Sequence, residues 1–147
     1  MTAVTRLQIG TEGDRVTFGG RIDETAQLAT LASQLPPGPI VLVPETVTFV
    51  NSVGLREWIR FLRALREGGH AVTLERVADV LMTQMNLIGE LRGLHVTSFH
   101  AQYECPTCRN EDQPLVDATL PPVACRECGS PMQLADFPER YLTIFRT

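Results

Sequence analysis

The spacing of the cysteines is the feature that most constrains how this chain can fold. All four cysteines lie in the last 43 of the 147 residues, as two pairs, Cys105/Cys108 and Cys125/Cys128, separated by sixteen residues. A two-residue gap within each pair allows one tight turn to direct two thiolates at the same point. Two such turns on neighbouring hairpins complete the tetrahedral shell that Zn²⁺ prefers. The spacing predicts a structural zinc site, with no position left open for catalysis.

Other states of these cysteines are conceivable. Redox-active disulfides of the C-x2-C type need a secreted setting or a thioredoxin-like βαβ context, and the flanking residues supply neither. Iron in place of zinc stays open. The stretch 102–147 resembles a zinc ribbon, a module that serves protein binding, nucleic-acid binding or stability alone. Gly129, directly after the second pair, suits a turn with positive φ.

The charge balance argues against nucleic acid as the partner. The ribbon-like stretch contains four arginines and seven acidic residues, and four thiolates with one Zn²⁺ add further negative charge. The whole chain has 13 basic residues, all arginine, and a formal charge of −4. A nucleic-acid ribbon needs a basic face, which this composition does not supply.

Composition also limits the class of protein. Apolar residues make up 44% and charged residues 20%, which is typical of a folded globular chain. No apolar run approaches the roughly 20 residues of a membrane-spanning helix. The segment from Met1 to Arg6 lacks the pattern of a secretory signal. Since zinc thiolates fit a reducing compartment, we expect a cytoplasmic protein.

The first hundred residues alternate strand and helix patterns. Strands are predicted at 4–9, 15–18, 40–43, 71–74 and 94–103, with 46–50 extending the third strand or forming a second segment. A turn is predicted at 10–14. One helix is capped by Asp23 or Glu24 and runs to Leu35. Two others span 53–66 and 77–88, and Asn51-Ser52 supplies the N-cap of the former.

The predicted order is β-β-α-β-α-β-α-β followed by the ribbon. Helices between strands imply crossovers, and crossovers imply a partly parallel sheet. The fold class is therefore α/β with a mixed sheet, divided into a domain at 1–101 and a four-cysteine module at 102–147. No internal repeat or linker is apparent, and the stretch around 95–103 is predicted to be a strand shared by both parts.

The element order and the segment Phe49-Val50-Asn51-Ser52-Val53-Gly54-Leu55 resemble the STAS family, the sulfate-transporter and anti-sigma-antagonist domain. The likeness covers about residues 4–102 and includes a third helix similar to 77–87. The family ends its central strand at a D-S-S/T-G-type turn that opens the second helix. The resemblance implies a non-enzymatic module that binds a kinase-like or anti-sigma partner, controlled by phosphorylation just before the motif glycine.

Two positions depart from this pattern. The family's phosphorylated position, directly before Gly54, is Val53, which has no hydroxyl group. The leading aspartate of the motif is Asn51. Ser52 matches the preceding hydroxyl position, where a helix N-cap is the simpler interpretation and a phosphorylation site the alternative. We therefore expect a constitutive binder or scaffold.

The second predicted helix has a wide apolar arc. At 100° per residue, Leu55, Ile59 and Leu62 form the predicted core stripe. Phe61, with or without Trp58, is the candidate partner contact, with Arg56 in the arginine rim around it. The alternatives are packing of Trp58 against the sheet rim or the ribbon, and a merely solvated arginine face.

A second aromatic stripe lies near the C-terminus. Phe137, Tyr141 and Phe145 repeat at i, i+4 and i+8 in a predicted short helix that begins near Pro138. The stripe is expected to pack on the ribbon or the sheet, with an oligomer contact as the alternative.

The predicted function is protein–protein interaction in bacterial signalling or regulation, without catalysis. Candidate partner-binding residues are Asn51, Ser52, Val53, Arg56 and Phe61. No catalytic constellation is apparent among the serines, histidines or paired carboxylates. The alternatives are an accessory STAS subunit of a membrane transporter ATPase and a regulator that binds nucleic acid through the ribbon.

Overall fold

The computed structural model describes residues 6–145, and its first unit is a five-stranded mixed sheet. β1 and β2 are antiparallel, whereas β2, β3, β4 and β5 run parallel to one another. The predicted mixed sheet with parallel crossovers is therefore confirmed. In spatial order the strands are β1 (Gln8–Glu12), β2 (Arg15–Ile22), β3 (Ile40–Val50), β4 (Val72–Leu74) and β5 (His95–Val96).

The turn between β1 and β2 is tighter than predicted. The segment 10–14 was expected to be a turn, but β1 continues to Glu12 and only Gly13 and Asp14 lie in the turn. Gly13 has a φ of 63°, a left-handed conformation that suits a two-residue hairpin and favours glycine. The predicted start of the first strand at Val4 lies outside the described residues.

Four helices accompany the strands: α1 (Ala29–Gln34), α2 (Ser52–Glu67), α3 (Asp79–Met85) and α4 (Glu139–Leu142). The predicted first helix is confirmed at its C-terminal end as α1, but its predicted start and its cap at Asp23 or Glu24 are wrong. Asp23 caps a local turn instead, since its Oδ1 accepts hydrogen bonds from the Thr25 N–H at 2.9 Å and the Thr25 hydroxyl at 2.6 Å. Hydrogen bonding of this kind, from a side chain to nearby backbone, competes with helix formation, and α1 begins only at Ala29. The predicted helix at 77–88 is observed as α3, followed by a 3-10 turn at Gly89–Leu91.

Helix α2 packs on the sheet with a different face from the one predicted. Its buried side chains are Trp58, Phe61, Leu62 and Leu65, whereas the predicted stripe residues Leu55 and Ile59 are only half-buried. The prediction of Phe61 as a surface contact is wrong, because its side chain is 1% exposed.

An aromatic cluster explains this orientation of α2. Phe18 on β2 lies edge-on to Trp58, with ring centroids 5.0 Å apart, and Phe61 lies 5.8 Å from both rings. Large rings bury the most apolar area, and edge-to-face pairs add to that gain. The face of α2 that carries Trp58 and Phe61 is therefore turned toward the sheet, and Leu55 and Ile59 lie near the surface.

The cysteine-containing unit is built from short antiparallel strands. The predicted continuous strand at 94–103 is wrong: Thr97 and Ser98 end β5, and the chain then enters β6 (Phe99–His100) and β7 (Tyr103–Glu104), which belong to other sheets. β6 pairs with β9 (Leu115–Val116). The other sheet has the order β10-β11-β7-β8, with β8 at Glu111–Asp112, β10 at Val123–Ala124 and β11 at Pro131–Leu134.

The C-terminal segment connects the two units. Tyr141 is buried and stacks on Phe99 with ring centroids 5.7 Å apart, and its hydroxyl donates to Asp79 of α3 while accepting from the Gln102 N–H. The predicted packing of the aromatic stripe is confirmed for Tyr141, whereas Phe137 is 76% exposed. One hydrophobic core contains side chains of both units, and the division at 101/102 stays a prediction.

Asn86 is a buried polar clamp between α3 and the C-terminal segment. Its amide nitrogen donates to the Glu139 carbonyl, and its amide oxygen accepts from the Ile144 N–H, each at 2.7 Å. Replacing Asn86 with leucine leaves both backbone groups unpaired. We expect the free energy of unfolding to fall by about 2–3 kcal/mol, because each buried unpaired group costs roughly 1–3 kcal/mol.

Urea unfolding would measure this loss. Asn86→Asp keeps the acceptor for Ile144 but loses the donor and buries an ionised carboxylate beside the Glu139 carbonyl, so in neutral buffer its effect should be at least as large. Gln84→Leu, the same amide-to-leucine change on α3, should stay within about 0.5 kcal/mol of the wild type. Equal stability of Asn86→Leu and Gln84→Leu would contradict the clamp.

Candidate metal centre

The first pair of cysteines lies in a backbone turn at 105–110, between β7 and β8. The Cys105 carbonyl accepts a hydrogen bond from the Arg109 N–H at 2.9 Å, and the Cys105 N–H donates to the Asn110 carbonyl at 2.8 Å. These bonds close the turn and place Cys105 and Cys108 on the same side of it. Arg109 has a φ of 65°, a conformation that a non-glycine residue rarely adopts.

The second turn, at 125–130, repeats this geometry between β10 and β11. The Cys125 carbonyl accepts from the Gly129 N–H, and the Cys125 N–H donates to the Ser130 carbonyl, both at 2.8 Å. Gly129 has a φ of 79°, so the predicted turn with positive φ is confirmed. The two turns form an internal structural repeat that the sequence inspection missed. The available signal was the constant 20-residue offset between equivalent cysteines.

The four sulfur atoms converge on one point. All four Sγ atoms lie within 4.8 Å of one another. The Cys105–Cys128 and Cys108–Cys125 sulfurs are 3.5 Å and 3.6 Å apart, and all four cysteines are free of disulfides. A tetrahedral ion with metal–sulfur bonds of about 2.3 Å needs sulfur–sulfur separations of about 3.8 Å. The residues present therefore fit a four-coordinate metal ion.

Hydrogen bonds to the second pair favour thiolate ligands. The Cys128 N–H lowers the pKa of the Cys125 thiol, and the Ser130 hydroxyl lowers the pKa of the Cys128 thiol to about 6. In the first pair, the Asn110 N–H lowers the pKa of Cys108, but burial and the neighbouring sulfurs outweigh it and raise that pKa to about 12. Four adjacent thiolates repel one another, so full ionisation of the cluster needs a cation at its centre.

The surroundings of the cluster suit a structural role. Cys105 and Cys125 are buried while Cys108 and Cys128 are exposed, so each turn contributes one inner and one outer ligand. The Asn110 amide donates to the Cys125 sulfur at 3.7 Å and links the two turns. With four protein ligands, no coordination position is left for a substrate or a reactive water.

The predicted partner-binding residues lie elsewhere, at the turn between β3 and α2. Asn51 is the N-cap: its side-chain oxygen accepts from the Gly54 N–H at 2.8 Å, and its amide nitrogen donates to Glu24 at 2.9 Å. The predicted start of α2 near Val53 is confirmed to within one residue, but the simpler interpretation of Ser52 as the N-cap is wrong, because Asn51 is the cap and Ser52 is the first helical residue. Ser52 is exposed, and the question of its phosphorylation stays open for phosphopeptide mass spectrometry.

The structure brings four of the five predicted partner-binding residues together. Val53 is 40% exposed and Arg56 is exposed one turn further along the helix, on the same end of α2 as Asn51 and Ser52. Phe61 does not join them because it lies in the core. The neighbours that sequence inspection missed are Glu24, which orients the cap, and Ile88, which lines a cavity beside α2. Neither residue carries a local sequence signal of this role, since both contacts are distant along the chain.

Among residues 6–145, the four cysteines are the one group of three or more His, Cys, Asp or Glu side chains arranged to hold a metal ion. Within the same range, no helix combines the length and the apolar character needed to cross a membrane. Comparisons with known proteins found no matching family model, no similar curated protein and no similar solved structure.

Proposed function

We propose that the chain is a non-enzymatic protein–protein interaction module: a STAS-like α/β unit stabilised by a C-terminal zinc ribbon. The order of elements and the capped turn that opens α2 support the STAS-like assignment. The observation that carries the function is the β3–α2 turn, where Val53 and Arg56 are exposed on a rigidly held helix end. An apolar and a cationic side chain on a preorganised surface suit recognition of a protein.

The metal in this proposal is Zn²⁺. Four cysteine thiolates at tetrahedral separation are the donor set of structural zinc, and also of tetrahedral iron. Bound zinc would supply folding free energy by cross-linking the two turns, with Cys105, Cys108, Cys125 and Cys128 as its ligands. Metal content of protein produced in unsupplemented medium distinguishes the two ions, and one zinc per chain is the expected result.

The recognition proposed here is constitutive. Val53 occupies the position that is phosphorylated in the STAS family and cannot accept a phosphate. Reduced cysteines at a metal site also favour a cytoplasmic setting in a bacterial cell, with a kinase-like or anti-sigma-like regulator as partner. A transporter ATPase is the alternative partner. Recognition of nucleic acid by the ribbon is disfavoured because Arg109 and Arg126, at the tips of its turns, pair with Glu104 and Asp112.

Affinity capture with the tagged full chain from the source cell tests the interaction. We expect Val53→Asp to lose the stoichiometric partner. Its melting temperature should not fall, because the helix dipole stabilises an acidic side chain in the first turn of a helix. Leu115→Asp is the matched control, since Leu115 on the ribbon is 38% exposed, close to the 40% of Val53. A partner that survives Val53→Asp and is lost with Leu115→Asp would overturn the proposed site.

A further inference from the structure

A groove runs along α2 beside the β3–α2 turn. We call it the α2 groove; its cavity has a volume of about 420 Å³. Half-buried Leu55 and Ile59 of α2 and Ile88, after α3, form its apolar floor. These are the side chains left uncovered when α2 rotates its Trp58–Phe61 face onto the sheet.

Arginines form one wall of the α2 groove. Arg56, Arg60 and Arg63 are exposed and line the cavity at positions i, i+4 and i+7 of α2, so they share one face of the helix. One turn further on, Arg66 lines a second cavity of about 270 Å³. Within the α2 groove itself, the arginine wall runs from Arg56 to Arg63, a length of about 11 Å at 1.5 Å per residue.

The positive charge of this wall is only partly neutralised within the chain. Arg60 pairs with Glu57 of the same helix at 3.1 Å. Nη2 of Arg63 lies 2.9 Å from both carboxylate oxygens of Glu90. Within residues 6–145, Arg56 forms no ion pair. A basic strip therefore lies on a chain whose formal charge is −4.

We infer that the α2 groove binds an acidic amphipathic helix of a protein partner. Arginine presents a planar fork that matches a carboxylate, and an apolar floor flanked by arginines complements a helix with aliphatic residues on one face and carboxylates beside it. A phosphodiester backbone finds no counterpart for the apolar floor, and the net negative charge of the chain opposes a polyanion at long range. This inference rests on the proposed interaction function and names the chemistry of its partner.

The ion pair between Arg63 and Glu90 predicts a substitution that strengthens binding of the partner. Glu90 occupies the arginine that a carboxylate of the partner would bind, so it competes with the partner. Removing its charge with Glu90→Gln should free Arg63 and strengthen binding. A role of the groove that is merely structural would not produce a tighter complex.

Fluorescence anisotropy with designed helical peptides tests the inference on the full chain. The probe has leucines at i, i+3, i+4 and i+7 with glutamates on its remaining face; the control peptide has lysines in place of the glutamates. We expect the acidic peptide to bind about tenfold more tightly than the basic one, and added salt to weaken it.

Three variants complete the design. Arg56→Glu/Arg60→Glu should weaken the acidic peptide about tenfold or more, whereas Glu90→Gln should strengthen it by about twofold to fivefold. Arg126→Glu, an exposed charge reversal on the ribbon, should have no effect. Far-ultraviolet circular dichroism and melting curves verify that each variant is folded.

Equal binding of both peptides, no binding of the acidic peptide at millimolar concentration, or preferential binding of a DNA duplex would overturn the inference. Affinity capture with the same variants tests the acidic-helix assignment separately from the proposed function. A partner that is captured by the wild type and lost with Val53→Asp, but is unaffected by Arg56→Glu/Arg60→Glu, supports the interaction module through Val53 alone and removes the acidic-helix assignment.

Discussion

Replacing Cys125 with serine is expected to unfold the cysteine-containing unit. Cys125 is buried, its carbonyl and N–H close the second turn, and its sulfur lies 3.6 Å from that of Cys108. Structural zinc in isolated fingers supplies about 10–16 kcal/mol of binding free energy, which is also folding free energy. Loss of one thiolate should therefore lower the free energy of unfolding by about 3 kcal/mol or more.

Metal content and thermal unfolding check this expectation together. Cys125→Ser should lose the metal ion, and the wild type treated with a strong chelator should show the same fall in melting temperature. Arg126→Ser, a change in the same turn at a residue with an 83% exposed side chain, is the control and should retain both. Unchanged melting temperatures for Cys125→Ser and for the chelated wild type would contradict a structural metal site.

Acid should release the same metal ion. Its ligands must be thiolates, so protons compete with the metal as the pH falls. A bound cation stabilises all four thiolates, so release is expected only in clearly acidic solution. This pH dependence provides a second readout of the first prediction, in which chelator and acid should produce the same unfolded ribbon.

The second large effect is expected for Gly54→Ala. A Cβ atom at Gly54 would lie 1.9 Å from the Ile22 carbonyl oxygen and 2.7 Å from the Asp23 nitrogen, both backbone atoms at the end of β2. Backbone cannot move aside as a flexible side chain can. We expect a loss of about 3 kcal/mol or more, although alanine is otherwise the better helix former by about 1 kcal/mol.

Gly89→Ala serves as the matched control, because a Cβ atom at Gly89 would have no neighbour within 4 Å. Its stability in chemical denaturation should stay within about 0.5 kcal/mol of the wild type. Any folded Gly54→Ala protein should also bind its partner poorly, since the start of α2 that carries Val53 must shift. Wild-type stability of Gly54→Ala would show that α2 and the end of β2 are not in close contact.

The convergence of the four cysteines was predictable from sequence almost completely. Each C-x2-C turn is a local structure of about six residues, and its two thiolates are close whatever the rest of the chain does. The start of α2 was predictable for the same reason, since a cap bonds to a backbone N–H three residues away, but the cap is Asn51 and not Ser52, which is the first helical residue. The missed repeat of the two turns shows the limit: four matching cysteines fix a local shape but leave the strand pairing around them undetermined.

Long-range contacts decided the remainder. Periodicity shows which side chains of α2 share a face, but its apolar arc is wider than the sheet needs, and Phe18 determines that Trp58 and Phe61 are buried. Burial of Trp58 and Phe61 leaves the apolar floor of the α2 groove exposed.

The sequence by itself determined the order of strands and helices, the start of α2 and the four cysteines that could hold a metal ion, because each of these depends on residues a few positions apart. Only the tertiary structure decided that Phe61 is core, that 94–103 divides among three sheets, and that Asn86 and Tyr141 join the two units. The physical reason is that burial and hydrogen bonding between distant segments depend on which surfaces meet, such as Asn86 with Ile144, 58 positions apart. Local helix and strand propensities do not encode contacts between such distant segments.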